Sequence, residues 1–68
     1  MLDEAIQVYH IALRLKPNYA EAYNNLGVAY EARGLLDEAI KQYQISLQLN
    51  PKNESAKDNL VKVLQKKK

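Results

Sequence analysis

Apolar side chains recur along this chain at intervals of three and four residues, in four separate stretches. The clearest stretch comprises Leu36, Ala39, Ile40, Tyr43 and Leu47. This spacing places side chains on one face of an α-helix, and no stretch shows the alternation typical of a strand. The pattern predicts an all-α fold with four helices, at residues of about 2–15, 20–33, 36–49 and 53–66.

Residues that interrupt helices lie between these stretches. Pro17 and Pro51 cannot continue a helix, and each disfavours helical geometry in the residue before it. Asn18, with Glu21 three residues later, predicts a capping box at the start of the second helix. Gly34 lies where a helix end favours a left-handed residue. Because the connections are short, neighbouring helices are expected to pack antiparallel.

The chain also repeats itself. When it is shifted by 34 residues, thirteen of the 34 overlapping positions are identical, including Pro17 with Pro51 and Asn25 with Asn59. A period of this length is typical of helical-hairpin repeats. The 68 residues therefore comprise two repeat lengths.

Seven residues within 20–53 follow a known pattern of aromatic, small and proline positions. They are Tyr23, Leu26, Gly27, Tyr30, Ala39, Tyr43 and Pro51. Their order and spacing resemble the tetratricopeptide repeat. The resemblance implies a single domain over residues 1–68, built as an α-solenoid of antiparallel helix-turn-helix units. Residues 20–53 would form a complete repeat, 1–19 the second helix of a preceding repeat, and 54–68 a capping helix with a basic tail.

Small and aromatic residues of this pattern suit a close contact between two helices. Gly27 and Ala39 are expected where the helices of one hairpin approach each other, since a larger side chain would separate them. Tyr23, Tyr30 and Tyr43 are expected to fill the space around that contact, each with its hydroxyl reaching solvent at the edge.

The two ends of the predicted array differ. Lys57 and Val61 occupy the positions that match Tyr23 and Gly27. Because burying an ammonium group is costly, the last helix is predicted to be a polar cap rather than a degenerate internal repeat.

At the other end, an apolar strip is predicted to lie uncovered because the first helix of its hairpin is missing. The residues of this self-association edge are Ala5, Tyr9 and Ala12. A head-to-tail stack of copies would keep the repeat register, but Lys57 and Val61 argue against it. Either the natural protein continues upstream and this chain is an excised piece, or the edge is a self-association surface. Between the two modes of self-association, a two-fold pairing of these edges, which gives a homodimer, is favoured.

The resemblance also implies a concave groove lined by the first helix of each hairpin. The groove residues expected from it are Glu21, Asn24, Asn25, Val28, Glu31, Ser55, Asp58, Asn59 and Lys62. Asn25 and Asn59 are of most interest, since an amide can both donate to and accept from a peptide backbone. The partner implied is a protein or peptide, although asparagine at these places could equally be part of the scaffold.

Charge is unevenly distributed along the chain. Residues 1–51 carry a net charge of −2 and residues 52–68 a net charge of +4. A basic end formed by Lys57, Lys62 and Lys66–Lys68 could bind an acidic partner or nucleic acid. A solubilising cap is the favoured interpretation, because no nucleic-acid motif accompanies the lysines.

Nothing in the sequence predicts catalysis, and neither a cofactor nor a metal site is expected. Cysteine is absent, and His10, the single histidine, is expected to be exposed to solvent. No apolar run is long enough for a membrane span, and the acidic start is unlike a secretory signal, so a cytoplasmic location is expected. The function predicted is a non-enzymatic interaction scaffold. The alternative is an excised or designed repeat fragment with a structural or self-assembly role.

Overall fold

The computed structural model describes residues 2–67, with side chains from residue 4 onwards, and all of its regular structure is helical. The four helices are α1 (Leu2–Leu15), α2 (Ala20–Ala32), α3 (Leu36–Leu49) and α4 (Glu54–Lys66). No strand occurs within residues 2–67. The all-α prediction is confirmed, and each predicted helix boundary lies within one residue of the observed boundary.

Helix α2 occupies the centre of the array and contacts the other three helices, while α3 also contacts α4. The Ser46 hydroxyl, near the end of α3, donates to the carbonyl oxygen of Ala20, at the start of α2, at 2.8 Å. These two helices therefore run antiparallel, as their short connection requires.

Helices α2 and α4 lie side by side and run in the same direction. Asn59 Nδ2 donates to Asn24 Oδ1 at 3.0 Å, which joins the first halves of the two helices. Lys66 forms an ion pair with Glu31, which joins their last turns. The two contacts together fix the register of α4 on α2.

Two equivalent turns follow α1 and α3. In the first, the backbone N–H of Tyr19 donates to the carbonyl of Lys16 at 3.2 Å, and in the second Asn53 donates to Asn50 at 3.1 Å. Each turn has its proline at the second position, where the fixed φ of proline favours chain reversal. The sequence repeat is thus a repeat of turn geometry as well.

Helix α2 ends at a left-handed glycine. Gly34 has φ of +80°. Its N–H donates to the carbonyl of Glu31 at 2.9 Å, and the N–H of Leu35 donates to that of Tyr30 at 3.0 Å. This pair of bonds is the Schellman motif, in which glycine is favoured because it has no β-carbon. The predicted role of Gly34 is confirmed.

The predicted capping box of Asn18 and Glu21 is wrong. The N-cap of α2 is Tyr19, and no side chain caps that helix. Because the helix begins directly after Tyr19, Asn18 lies one residue too early to reach a free N–H of the first turn. The capped helix is instead α4, where Asn53 Oδ1 accepts from the N–H of Ala56 at 3.2 Å.

Among the described side chains, the core contains two apolar clusters that share one tyrosine. The first contains Ile6, Leu26 and Ala29, and the second contains Ala39, Tyr43 and Val63. Tyr30 packs against both clusters and so joins the α1–α2 contact to the α3–α4 contact. Burial of these side chains supplies the main driving force for folding.

Tyr43 fills the close contact between α2 and α3. Gly27 and Ala39 are buried there, as predicted, and Tyr43 is fully buried. Its hydroxyl does not reach solvent but donates to Glu31 Oε1 at 2.8 Å. The expectation of a solvent-facing hydroxyl is therefore wrong for Tyr43, because the neighbouring helix supplies a carboxylate that satisfies it.

Candidate protein-interaction surfaces

Helices α2 and α4 form an open groove with two depressions. The first is lined by Glu21, Asn24, Asn25, Asn50, Lys52, Asn53, Glu54 and Ser55. The second is lined by Val28, Glu31, Ala32, Asn59, Lys62 and Lys66. Of the predicted groove residues, all but Asp58 line one of the two, and Asp58 is exposed elsewhere. Their contact with a partner stays a prediction.

Asn24 forms part of the wall between the two helices. Its side chain is only 6% exposed. Its Nδ2 donates to Ser55 Oγ at 3.1 Å, while its Oδ1 accepts from Asn59 at 3.0 Å. The amide is therefore already used inside the fold, where a buried polar group must be hydrogen-bonded. The next residue, Asn25, lies in a different environment.

Asn25 is half-buried in the first depression, and its side chain forms no hydrogen bond with another described residue. Asn59 uses one N–H of its amide for Asn24, whereas its Oδ1 accepts from no described residue. An asparagine amide has two donor hydrogens and an acceptor oxygen. The groove thus offers two side-chain amides to a bound peptide. The Asn25 amide forms no hydrogen bond with a described residue, and the Asn59 amide forms one.

The turn between α3 and α4 also lines the first depression, which the sequence interpretation did not predict. Asn50 Oδ1 accepts from the N–H of Lys52 at 3.3 Å, so its side chain shapes the turn. Asn53 caps α4 at the same place. The available signal was the Asn-Pro-Lys-Asn sequence, since the turn that leads into a groove helix ends beside the groove.

Glu31 lies at the far end of the groove between Tyr43 and Lys66. Burial alone would raise the pKa of its carboxyl. Hydrogen bonds from Lys66 and Tyr43, with the charges of Lys66 and Lys62, outweigh that effect, and the pKa lies below its ordinary value of 4.5. Burial, reinforced by the carboxylate, raises the pKa of Tyr43 far above its ordinary value of 10.0. At neutral pH Glu31 therefore accepts and Tyr43 donates.

One side of α1 lacks the cover that the equivalent side of α3 has. Ala5, Tyr9 and Ala12 are half-buried, whereas their counterparts 34 residues later are fully buried. Val8 is 60% exposed, and its counterpart Gln42 is 8% exposed. We refer to Ala5, Val8, Tyr9 and Ala12 as the α1 edge. Tyr9 still packs against the first core cluster, so the edge is only partly open.

Two family models match the chain. A TPR repeat model matches residues 2–34, and a tetratricopeptide repeat model matches residues 20–53, half of the chain. The chain belongs to the tetratricopeptide repeat family. A comparison with curated proteins gave no match. Tetratricopeptide repeats generally mediate protein–protein interaction, and the family is typically non-catalytic.

The basic end of this tetratricopeptide array is partly neutralised within the fold. Lys66 pairs with the groove carboxylate, and Lys67 pairs with Asp37 at the start of α3. Lys62 is exposed beside the second depression. Lys68, the last residue of the predicted basic tail, lies outside the described residues. Fewer lysines are therefore available to an acidic partner than the sequence suggests.

The outer side of α4 is the second exposed face of the tetratricopeptide array. Lys57 is exposed, and the side chains of Val61 and Leu64 are each about half exposed. At the matching position of α2, Gly27 is buried against Tyr43. The assignment of α4 as a cap stays a prediction, and these exposed residues are consistent with it.

Other candidate chemistry in this repeat protein is sparse. His10 is exposed, as predicted, and its Nε2 lies 3.2 Å from the Tyr30 hydroxyl. Among the described side chains, no group of three or more His, Cys, Asp or Glu residues is arranged to hold a metal ion. None of the helices within residues 2–67 is long and apolar enough to span a bilayer.

Proposed function

We propose that this chain is a non-catalytic protein-binding module that holds an extended peptide segment in the groove between α2 and α4. The observation that carries the proposal is Asn25. Its amide is half-buried in the first depression and has no hydrogen-bond partner among the described residues. A half-buried amide without a partner gains most from a ligand that supplies one, because its remaining contact with water is already reduced.

A peptide backbone is the ligand that suits this amide. Each peptide unit carries one donor and one acceptor, and the side chain of Asn25 offers both complementary groups. Asn59, in the second depression, has its Oδ1 available for a backbone N–H further along the same segment. Val28, which is 47% exposed in that depression, provides a small apolar contact. Recognition of this kind depends little on the peptide sequence.

Binding of an acidic partner by the lysines is the weaker alternative. Lys66 and Lys67 already pair with carboxylates of the fold. Binding that relied on lysines would weaken steeply with added salt, whereas backbone hydrogen bonds would not. Salt dependence therefore separates the two modes of binding.

The α1 edge is a second proposed contact surface. Its residues are half-buried or exposed at positions where the equivalent residues of α3 are covered by a helix. A helix with an uncovered apolar stripe is stabilised by burying it against another apolar surface.

Selection from a displayed library of random short peptides, followed by titration with two variants, tests the groove. Asn25→Ala should weaken binding of selected peptides by roughly tenfold, because a partly buried hydrogen bond is lost. Gln44→Ala, an exposed position on α3, is the matched control and should leave the affinity unchanged. Amide chemical shifts on binding should change in α2 and α4. Shifts confined to α1 and α3, or unchanged affinity of Asn25→Ala, would rule the groove out.

A further inference from the structure

A hydrogen-bonded series of three side chains links α2 to α4. Asn24 Nδ2 donates to Ser55 Oγ at 3.1 Å, and Asn24 Oδ1 accepts from Asn59 Nδ2 at 3.0 Å. Asn24 is only 6% exposed, so water cannot replace either bond. The orientation of the Asn24 amide therefore determines which atom of Asn59 remains for a ligand.

The amide of Asn59 has one group engaged by the fold and one group available. Its Nδ2 donates to Asn24, whereas its Oδ1 accepts from no described residue, and the side chain lines the second depression. Turning this amide by 180° would bring its Oδ1 against Asn24 Oδ1, and two acceptors form no hydrogen bond with each other. Asn59 is therefore held with its acceptor available. Asn25 has no partner among the described residues, so its amide can turn and present either group.

We propose that Asn24 is a positioning residue that restricts Asn59 to the role of acceptor, so that the bound segment must carry a free backbone N–H opposite Asn59. The inference rests on the proposed binding of a peptide in this groove, and it narrows the class of peptide. The peptide residue opposite Asn59 cannot be proline, because proline has no backbone N–H. Asn25 sets no such limit on the residue that it contacts.

Ser55 is the one member of the series that could act in either direction, since a hydroxyl both donates and accepts. If Ser55 donated to Asn24 Oδ1, the Asn24 amide would be reversed and Asn59 would present its Nδ2 to the ligand. Ser55→Asp enforces the observed orientation, because a carboxylate only accepts. Ser55 is exposed in the first turn of α4, where negative charge is favourable, so this variant should keep its fold.

Ester substitution in a peptide selected for binding tests the inference. Each backbone N–H of the peptide is replaced in turn by oxygen, which removes the donor without adding bulk. One ester should weaken binding to the unmodified chain by roughly tenfold. The same ester should have little effect on binding to Asn59→Ala, which identifies the peptide unit opposite Asn59. Asn24→Asp still accepts from Asn59 and should keep the ester penalty. Asn24→Ala frees the Asn59 amide to turn and should reduce the penalty to about threefold.

The ratio of the amide and ester affinities separates positioning from stability, because a variant that is only less stable binds both peptides in the same proportion. Circular dichroism establishes that each variant is folded, and Ser55→Asp should retain the penalty. A peptide that depends on Asn25 but shows no ester penalty with the unmodified chain would overturn the inference, as would an undiminished penalty in Asn24→Ala. Binding that does not depend on Asn25 would overturn the proposed function, and this inference with it.

Discussion

The ring of Tyr43 lies directly against the backbone of Gly27, so that a β-carbon at residue 27 would stand 2.7 Å from Cδ1 and 2.9 Å from Cζ. Such distances are shorter than any ordinary van der Waals contact. The ring cannot move aside, because Tyr43 is fully buried and its hydroxyl is bonded to Glu31. The α2–α3 contact therefore depends on glycine at this position.

Gly27→Ala is expected to lower the free energy of unfolding by about 2 kcal/mol, because a collision this close lies at the upper end of the overpacking range. Overpacking of this kind costs roughly 1–3 kcal/mol or more, and the gain in helix propensity of about 1 kcal/mol offsets only part of it. Urea unfolding followed by circular dichroism measures the change. Gly34→Ala is the control, since nothing lies within 4 Å of its β-carbon and only its positive φ opposes the change. Its cost should be about 1 kcal/mol, and equal losses in the two variants would contradict the steric explanation.

The two proline turns offer a test of helix capping within one molecule. Asn53 caps α4, whereas Tyr19 at the equivalent place leaves α2 without a side-chain cap. Asn53→Ala should lower the free energy of unfolding by about 1 kcal/mol. Tyr19→Asn should raise it, by up to about 1 kcal/mol, because the turn geometry already suits a cap. Loss of the Lys16–Tyr19 ring contact at 5.1 Å reduces that gain slightly. A destabilised Tyr19→Asn variant would mean that the two turns are not equivalent.

The helices could be predicted from sequence because their signals are local. Periodicity placed each apolar stripe, and the prolines and Gly34 placed the breaks, so boundaries agree within one residue. The N-cap of α2 was also mispredicted by one residue. An error of one residue is enough here, because only the side chain at the N-cap position can form the capping hydrogen bond. Comparison of the two turns would have placed the caps at Tyr19 and Asn53, because the 34-residue repeat aligns them.

The contacts between helices that are distant in sequence could not be predicted. The period matches Asn25 with Asn59 and Asn24 with Asp58, but it does not predict that Asn24 is locked between α2 and α4 while Asn25 is open to the groove. The difference arises from the register of α4 on α2, and that register depends on side-chain packing. The Tyr43–Glu31 hydrogen bond likewise depends on the approach of α2 to α3, a distance that no local pattern encodes.

Asn24 and Asn25 should therefore respond to the same substitution in opposite ways. Asn24→Ala should lower the free energy of unfolding by about 1–3 kcal/mol, because it leaves the Ser55 and Asn59 side chains without a partner. Asn25→Ala should change stability by no more than about 0.5 kcal/mol while weakening peptide binding. Thermal unfolding and peptide titration on both variants provide the comparison. Stability losses of equal size would show that Asn25 is also structural.

Acid should destabilise the fold through Glu31. Its folded-state pKa lies below the ordinary value of 4.5, so its stabilising contribution is complete above that pH and is lost as pH falls through the folded-state pKa. Glu31→Gln keeps an acceptor for Tyr43 but cannot titrate, and its stability should fall less steeply below pH 4.5. Asp37→Asn is the control, since the Asp37 side chain is 75% exposed and solvent screens its ion pair. Identical acid slopes in the wild type and Glu31→Gln would assign the effect to other carboxylates.

The side chain of Val61 would obstruct packing of a second copy against α4. It can be removed by giving α4 the residues that α2 has at the matching positions. Lys57→Tyr with Val61→Gly restores the tyrosine and glycine found at the matching positions of α2. Residues 54–68 of one copy followed by 1–19 of the next complete one 34-residue period, so the altered α4 face should accept the α1 edge of another copy. A heterologous contact of this kind does not close, and the mass measured by light scattering should rise steadily with concentration.

The matched control for this assembly is Lys57→Tyr with Val61→Leu. It has the same added tyrosine and a more apolar face, but its leucine still collides with the Tyr9 ring of the next copy. This variant should show no growth beyond the species formed by the unmodified chain. Glycine lowers helix propensity by about 1 kcal/mol, so circular dichroism must first establish that α4 is intact in both. If the measured mass rose equally in the two variants, nonspecific apolar association would control the contact between copies, and not the space beside residue 61.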